Sequence, residues 1–182
     1  MVTAAKPQVG GAIYIAPLGS TIPTSADDSL AEAFEGLGYA TDAGVTRAVD
    51  QDTEVVKAWG GDVVLVLENS MTETFQFSML DAHSVAALKL VNGDNNVTGS
   101  ALATGISVKA NNNEKGGHIF VIDMIEKGNT LHRIVIPNGV VTDIEDVTYV
   151  DNEAVAYGVT ITAIADSSGN ASYDYFKTAA TT

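Results

Sequence analysis

Beyond Tyr39, apolar and polar residues alternate with a period of two over most of the chain, the pattern of extended strands with one covered face. In residues 72–80, Phe75, Phe77 and Met79 point one way and Thr74, Gln76 and Ser78 the other. In residues 155–165, Val155, Tyr157, Val159, Ile161 and Ala163 oppose Ala156, Gly158, Thr160 and Thr162. Residues 63–67 are apolar at every position, which predicts a strand covered on both faces. Further strands are expected over 12–16, 106–109, 119–125, 131–136 and 172–176, and Asn111-Asn112-Asn113, Lys127-Gly128-Asn129, Pro137-Asn138-Gly139 and Asp166–Asn170 are expected as turns.

The helical period is confined to two places. Ala82, Val85, Leu88 and Val91 recur at three-residue steps, with Asp81 or Ser84 as a cap and Asn92-Gly93 as a stop, predicting a helix over 81–91. Ser25-Ala26-Asp27-Asp28 resembles a capping box, and Leu30, Ala33 and Phe34 follow at helical spacing, predicting a second, shorter helix. The sum is about ten short strands and two helices, one of them weak, which makes the chain mainly β: a β-sandwich or barrel with one flanking α-helix and extended arms or loops.

The chain has 182 residues, the size of one domain or one domain with arms. It contains no cysteine, so disulfides and thiolate metal sites are excluded. The N-terminus does not read as a secretory signal, and no window approaches the ~18 apolar residues of a membrane span, so the two Asn-X-Ser/Thr sequons are read as chance. Nine basic against 23 acidic residues give a net charge of −14, a surface that repels phosphate and disfavours nucleic-acid binding and anionic membranes.

Candidate chemistry is sparse. His83, His118 and His132 lie in separate predicted elements, without a second ligand at metal-binding spacing. Phosphate-binding glycine motifs and a nucleophile elbow are missing from the sequence. Residues 92–96 and 166–170 lack the spaced ligand series of a calcium loop and read as Asx-type turns. Asp143, Glu145, Asp146, Asp151 and Glu153 crowd one segment. Paired carboxylates there could serve a glycosidase, whereas the surplus of acid along the whole chain makes them a solvated face. No catalytic residue, cofactor site or metal site is assigned.

Residues 44–62, GVTRAVDQDTEVVKAWGGD, stand apart: too polar for a core and too patterned for a linker. Asp50, Asp52 and Glu54 alternate onto one side of an extended chain, Trp59 is the only tryptophan, and a Gly-Gly turn closes the segment. Such a segment meets a partner, and a lone Trp more often anchors a protein interface or a core edge than stacks on a sugar or ring.

This segment is followed by TETFQF, ALKLVNGD, LHRIVIPNGVV, VTYVDNEAVAYGVTITA and DSSGNASYDYF. Together the phrases resemble a siphophage major tail tube protein, from about Leu37 to Phe176. The resemblance implies a structural protein without enzymatic activity: a sandwich flanked by one helix, six copies per ring, and inner strands joined into a continuous barrel. Rings would stack into a tube templated by a tape-measure protein and ended by tail terminator and distal tail proteins. Viral DNA would pass through the lumen without specific binding. It further implies that Arg47, Asp50, Asp52, Glu54, Lys57 and Trp59 contact adjacent subunits. The domain reading is an N-terminal arm with a first strand and short helix (1–36), a tail-tube domain (37–177) including an inter-ring loop at about 45–61, and a flexible tail (178–182). Residues 1–8 are expected to be mobile in a free subunit. The location implied is the virion tail, with synthesis in the host bacterial cytoplasm. The alternatives are another β-rich virion protein, such as a tail terminator or head decoration protein, and an extracellular β-sandwich binding module. The second fares badly with 7% aromatics and one Trp.

Overall fold

The computed structural model describes residues 2–7 and 11–179. Among them eleven strands follow in order: β1 (Ala5–Pro7), β2 (Ile13–Pro17), β3 (Glu35–Gly36), β4 (Ala40–Lys57), β5 (Val63–Met79), β6 (Val97–Thr98), β7 (Ser107–Val108), β8 (Gly117–Glu126), β9 (Thr130–Ile144), β10 (Tyr157–Ala163) and β11 (Tyr173–Thr178). One α-helix, α1 (Val85–Asn92), lies between β5 and β6. The fold is mainly β, as the period-two pattern requires. Nine strands make one antiparallel sheet in the order β3-β2-β8-β9-β10-β5-β4, with β1 added to β8 and β11 to β9, and β6 pairs with β7 separately.

The sheet folds over a single core because β9 changes partner along one edge. Its first half, Thr130 to Val135, pairs with β11, and its second half, Gly139 to Ile144, pairs with β10. The two halves therefore carry different neighbours, and their inner faces meet. Phe75, Phe77 and Met79 of β5 and Val159 and Ile161 of β10 pack in one cluster with Ile13, Ile15, Phe120, Ile122, Ile134 and Ile136. Burying each such side chain contributes roughly 1.5–3 kcal/mol.

The helix α1 closes one side of this core with Ala86, Ala87, Leu90 and Val91. The Ser84 hydroxyl accepts the Ala87 N–H at its start, and Gly93, at φ 93°, turns its own N–H back to Lys89 at its end. Both signals were readable, and the helix lies where the pattern places it. The Lys127-Gly128-Asn129 turn also forms as expected, with Gly128 at φ 90° and Asn129 at φ 61° between the paired residues Glu126 and Thr130.

Four expectations are corrected. Pro137-Asn138-Gly139 does not turn the chain; β9 runs straight through it. Between the pairs Phe120↔Ile136 and His118↔Gly139 the register shifts by an extra residue, so the Pro, which has no N–H to donate, occupies a bulge where the strand exchanges β11 for β10. Residues 25–34 form turns rather than a helix. The Asp28 carboxylate accepts the Thr24 N–H at 2.8 Å, and Arg133 donates to the Ser25 and Asp28 carbonyls at 3.1 and 2.8 Å, which removes acceptors that a helix would need. Arg133 is itself buried, and its guanidinium forks onto Asp123 at 2.6 and 2.8 Å.

Residues 63–67 form a strand, but both faces are open to solvent in the single chain. The inter-ring segment at about 45–61 is strand up to Lys57, as its alternation suggests. β4 and β5 have 18 and 17 residues, far longer than the short strands anticipated. At the termini, Ala5–Pro7 pairs with β8, while Met1 and Gln8 of the segment expected to be mobile lie outside the described residues. Thr178 pairs with Thr130 and the Ala179 N–H reaches Asn129 O at 2.8 Å; the rest of the expected tail, 180–182, also lies outside them.

The bulge makes a test. An ideal Cβ on Gly139 would lie 2.7 Å from a ring carbon of Phe120, which is fully buried and has no room to move. Gly139→Ala is expected to cost about 1–3 kcal/mol of stability by overpacking, read by chemical denaturation. A midpoint equal to that of the parent protein would refute the close approach.

Candidate functional site

The β4–β5 hairpin is anchored in the core at one end and projects from it at the other. The register pairs Val45 with Phe77, Arg47 with Phe75 and Val49 with Glu73, then continues outward through Asp50↔Thr72 and Asp52↔Ser70 to Lys57↔Val63. Beyond Glu73 every residue of β5 is exposed. The hairpin ends in a tight turn, with the Ala58 N–H on Asp62 O at 2.8 Å, Gly60 and Gly61 at positive φ, and Trp59 fully exposed at the tip. Along this arm Val55, Val56, Val63, Val64, Leu65, Val66 and Leu67 are all exposed. Apolar residues on both faces of a projecting ribbon are unusual for a monomer surface and mark an interaction site.

The six residues singled out in the sequence fall into three groups. Asp50 and Asp52 share one face of the arm's stem with their cross-strand partners Thr72 and Ser70. Glu54 lies beyond the register shift at Asp52/Thr53, opposite Leu67. Lys57 and Trp59 lie at the tip. Arg47 belongs elsewhere: its guanidinium meets two acids of its own chain at the root of the arm.

That root is an ionic cluster that sequence spacing did not bring together. Arg47 pairs with Glu73 of β5 and, at 2.7 Å, with Asp174 of β11, and donates to the Ser172 hydroxyl at 3.1 Å. It also sits 5.6 Å from the centre of the Phe75 ring. The Ser172 hydroxyl lies within hydrogen-bonding distance of both Glu73 oxygens, at 3.0 and 2.9 Å. The other Asp174 oxygen is 2.9 Å from His132 Nε2, and Phe176 stacks on that imidazole at 4.1 Å. His132 Nδ1 lies 3.0 Å from Glu126, close enough for an ion pair but not aligned for a hydrogen bond. Glu73 is 3% exposed. Its place in the core-facing phase of Phe75, Phe77 and Met79 was the one readable signal, since a buried acid needs a cation.

Burial opposes ionisation of Asp174, yet the hydrogen bonds from His132 and Arg47 and the Arg47 charge outweigh it and hold its carboxyl below the ordinary value of 3.8. Burial likewise opposes the charge on Arg47, and Asp174 and Glu73 more than offset it. Among the described residues no group of three or more His, Asp or Glu is placed to hold a metal ion. Two open clefts lie beside α1: one of about 420 Å³ is lined by His83, Asp81 and Leu102, the other by His118, Asp94 and Lys89. The first also holds Ser84 and Ser100, but the Ser84 hydroxyl is engaged by the Ala87 N–H, and no hydrogen bond joins His83 to either serine. The feature that stands out in this geometry is an exposed apolar arm on an ionic root.

Residues 4–181 match the family model described as phage tail tube protein. The chain belongs to the phage tail tube protein family. It is therefore a structural protein of the virion tail, and the resemblance carried by its sequence phrases holds at the family level. No curated protein matches the chain. Two solved structures are similar to this tail tube protein. One is from the sheath-tube complex of an extracellular contractile injection system, PVC, in the extended state, at 7% identity and a TM-score of 0.48, with 96% of this chain and 93% of that one covered. The other is from the tube-terminating cap of the anti-feeding prophage, at 10% identity and a TM-score of 0.47, with 96% and 92% covered. No helix is long and apolar enough to cross a membrane among the described residues.

The root cluster has two measurable consequences. Arg47→Ala leaves Glu73 buried without its cation and is expected to cost about 3 kcal/mol, the low end for a broken buried pair because Arg47 is partly exposed. A carboxyl depressed in the folded state contributes stability that is complete above its unfolded value and is lost as pH falls through the folded one. Stability should therefore decline below about pH 4, and Asp174→Asn should flatten that decline. Parallel acid limbs for the two proteins would remove Asp174 from the account.

Proposed function

We propose that the chain is the tube subunit of a long, non-contractile siphophage tail, assembling into stacked rings of six that conduct the genome. The observation that carries this reading is the β4–β5 arm, whose exposed Val and Leu residues need an apolar partner that the single chain does not supply. A tape-measure protein would set the tube length, and tail terminator and distal tail proteins would close its ends. Asp50, Asp52, Glu54, Lys57 and Trp59 contact neighbouring copies, the mixed charges setting register more than affinity. Arg47 acts from the root, holding the arm at a fixed angle.

The lumen is faced by the outer side of the β9-β10-β5-β4 sheet. That side presents Thr74, Gln76 and Ser78 from β5, Thr160 and Thr162 from β10, Thr46 and Ala48 from β4, and then Asp50 and Asp52. The Thr142 hydroxyl continues the row 3.0 Å from that of Thr162, and Gln76 bonds Glu145 at 2.6 Å. Hydroxyls, amides and carboxylates without Lys or Arg give passing phosphates nothing to pair with. A structural conduit of this kind needs no catalytic group.

Trp59→Ala combined with Lys57→Glu is expected to abolish tubes in negative-stain images while circular dichroism shows an unchanged fold; tubes of normal length would sink the assembly reading. Thr74→Lys together with Thr160→Lys should leave tubes intact but make them retain DNA at low salt, with release as salt rises. Tubes that stay indifferent to DNA at every salt concentration would count against this face as the lumen wall.

A further inference from the structure

We infer that the end of the molecule opposite the arm tip is the surface that receives the arm of another copy. The inference rests on the stacking reading above and adds the acceptor, which lies on a different part of the chain from the donor. At the core end of the arm's two strands, Ala40 of β4 and Tyr157 of β10 both lie opposite Met79 of β5. The chain just beyond them carries a second set of uncovered apolar groups. Tyr39 is 71% exposed and Tyr149 73%, with Leu80 and Val150 also exposed. They form one neighbourhood: the Leu80 N–H donates to Tyr39 O at 2.8 Å, and Tyr149 lies near enough to Tyr157 to add to the upward push that burial gives its phenol pKa.

This patch and the arm tip cannot meet within one molecule. They mark opposite ends of the 17-residue β5, which spans roughly 55 Å at ~3.3 Å per residue. Two different apolar surfaces at opposite ends of one rigid strand are the requirement for a head-to-tail contact, which repeats without limit along an axis. One charge at the tip suits the same pairing, in an arm that is otherwise acidic, with Asp50, Asp52, Glu54, Asp62 and Glu68. Lys57, two residues from Trp59, is the sole Lys or Arg between Arg47 and Lys89. The acceptor side carries Asp146, Asp151 and Glu153 around Tyr149 and Val150, in a stretch, 134–176, with no Lys or Arg. Trp59 and the arm's leucines fit the tyrosine patch, and Lys57 fits its acidic rim.

The cysteine-free chain makes the contact directly testable by disulfide trapping in full-length protein. Under mild oxidation of assembled material, Trp59→Cys mixed with Tyr149→Cys should give a cross-linked dimer at least tenfold above either variant alone. The double variant should give a ladder of successively longer oligomers, because each copy then carries a donor and an acceptor. Lys57→Cys with Asp151→Cys repeats the test with Trp59 and Tyr149 in place, should those two be needed for assembly. Tubes visible by electron microscopy without either mixed cross-link would overturn the acceptor assignment and leave the tube reading standing. A Trp59→Cys product formed with itself alone would replace the head-to-tail contact by a tip-to-tip one. Parent protein that forms no rings or tubes at any concentration would remove the stacking reading, and the acceptor with it.

Discussion

The ion cluster at the root of the arm is the constraint on which the arrangement depends. In strand order β4 is the last member of the sheet and β11 a branch on β9, so no backbone pairing joins them. Arg47 spans the gap, holding Glu73 beside it and Asp174 across it. The core is closed on this side by charge rather than by a ladder of hydrogen bonds. A buried Glu tolerates its position only with the cation present, so Arg47, Glu73 and Asp174 hold together or fail together. The same contact lies at the root from which the hairpin leaves the body.

From that root the strands serve two environments. The inward phase of β5 fills the core with Phe75, Phe77 and Met79, and the same strand goes on outward with valines and leucines that remain exposed. Leaving such residues in water is costly, at roughly 1.5–3 kcal/mol for each Val or Leu that could be buried. The cost makes sense if it is recovered on assembly. Under the proposed assembly, an apolar ribbon on a two-stranded base keeps the residues that fold the chain apart from those that would join copies.

The second long strand shows how a local signal can be overridden. Pro137-Asn138-Gly139 has the chemistry of a turn, but β9 is flanked by β8 on one edge and by β11 and then β10 on the other. The proline sits at the exchange, where its missing N–H does the least harm. The helix signal at 25–34 fails for a related reason: Arg133, distant in sequence, takes the carbonyls that the helix would have used.

Period-two alternation was enough to establish a mainly β chain and the inward faces of β5 and β10, and three-residue steps with the Ser84 and Gly93 signals were enough to place α1, because these depend on neighbours two to four residues apart. The missing cysteines and the excess of acid likewise narrowed the chemistry before any coordinates. Three things needed the folded chain: that Arg47 pairs with acids of its own chain, that the apolar run 63–67 stays exposed among the described residues, and that a tyrosine patch lies at the far end of the same strand. Each joins residues far apart in sequence or turns on what is absent from a surface, and alternation along a strand is the same whether its cover comes from its own chain or from another copy.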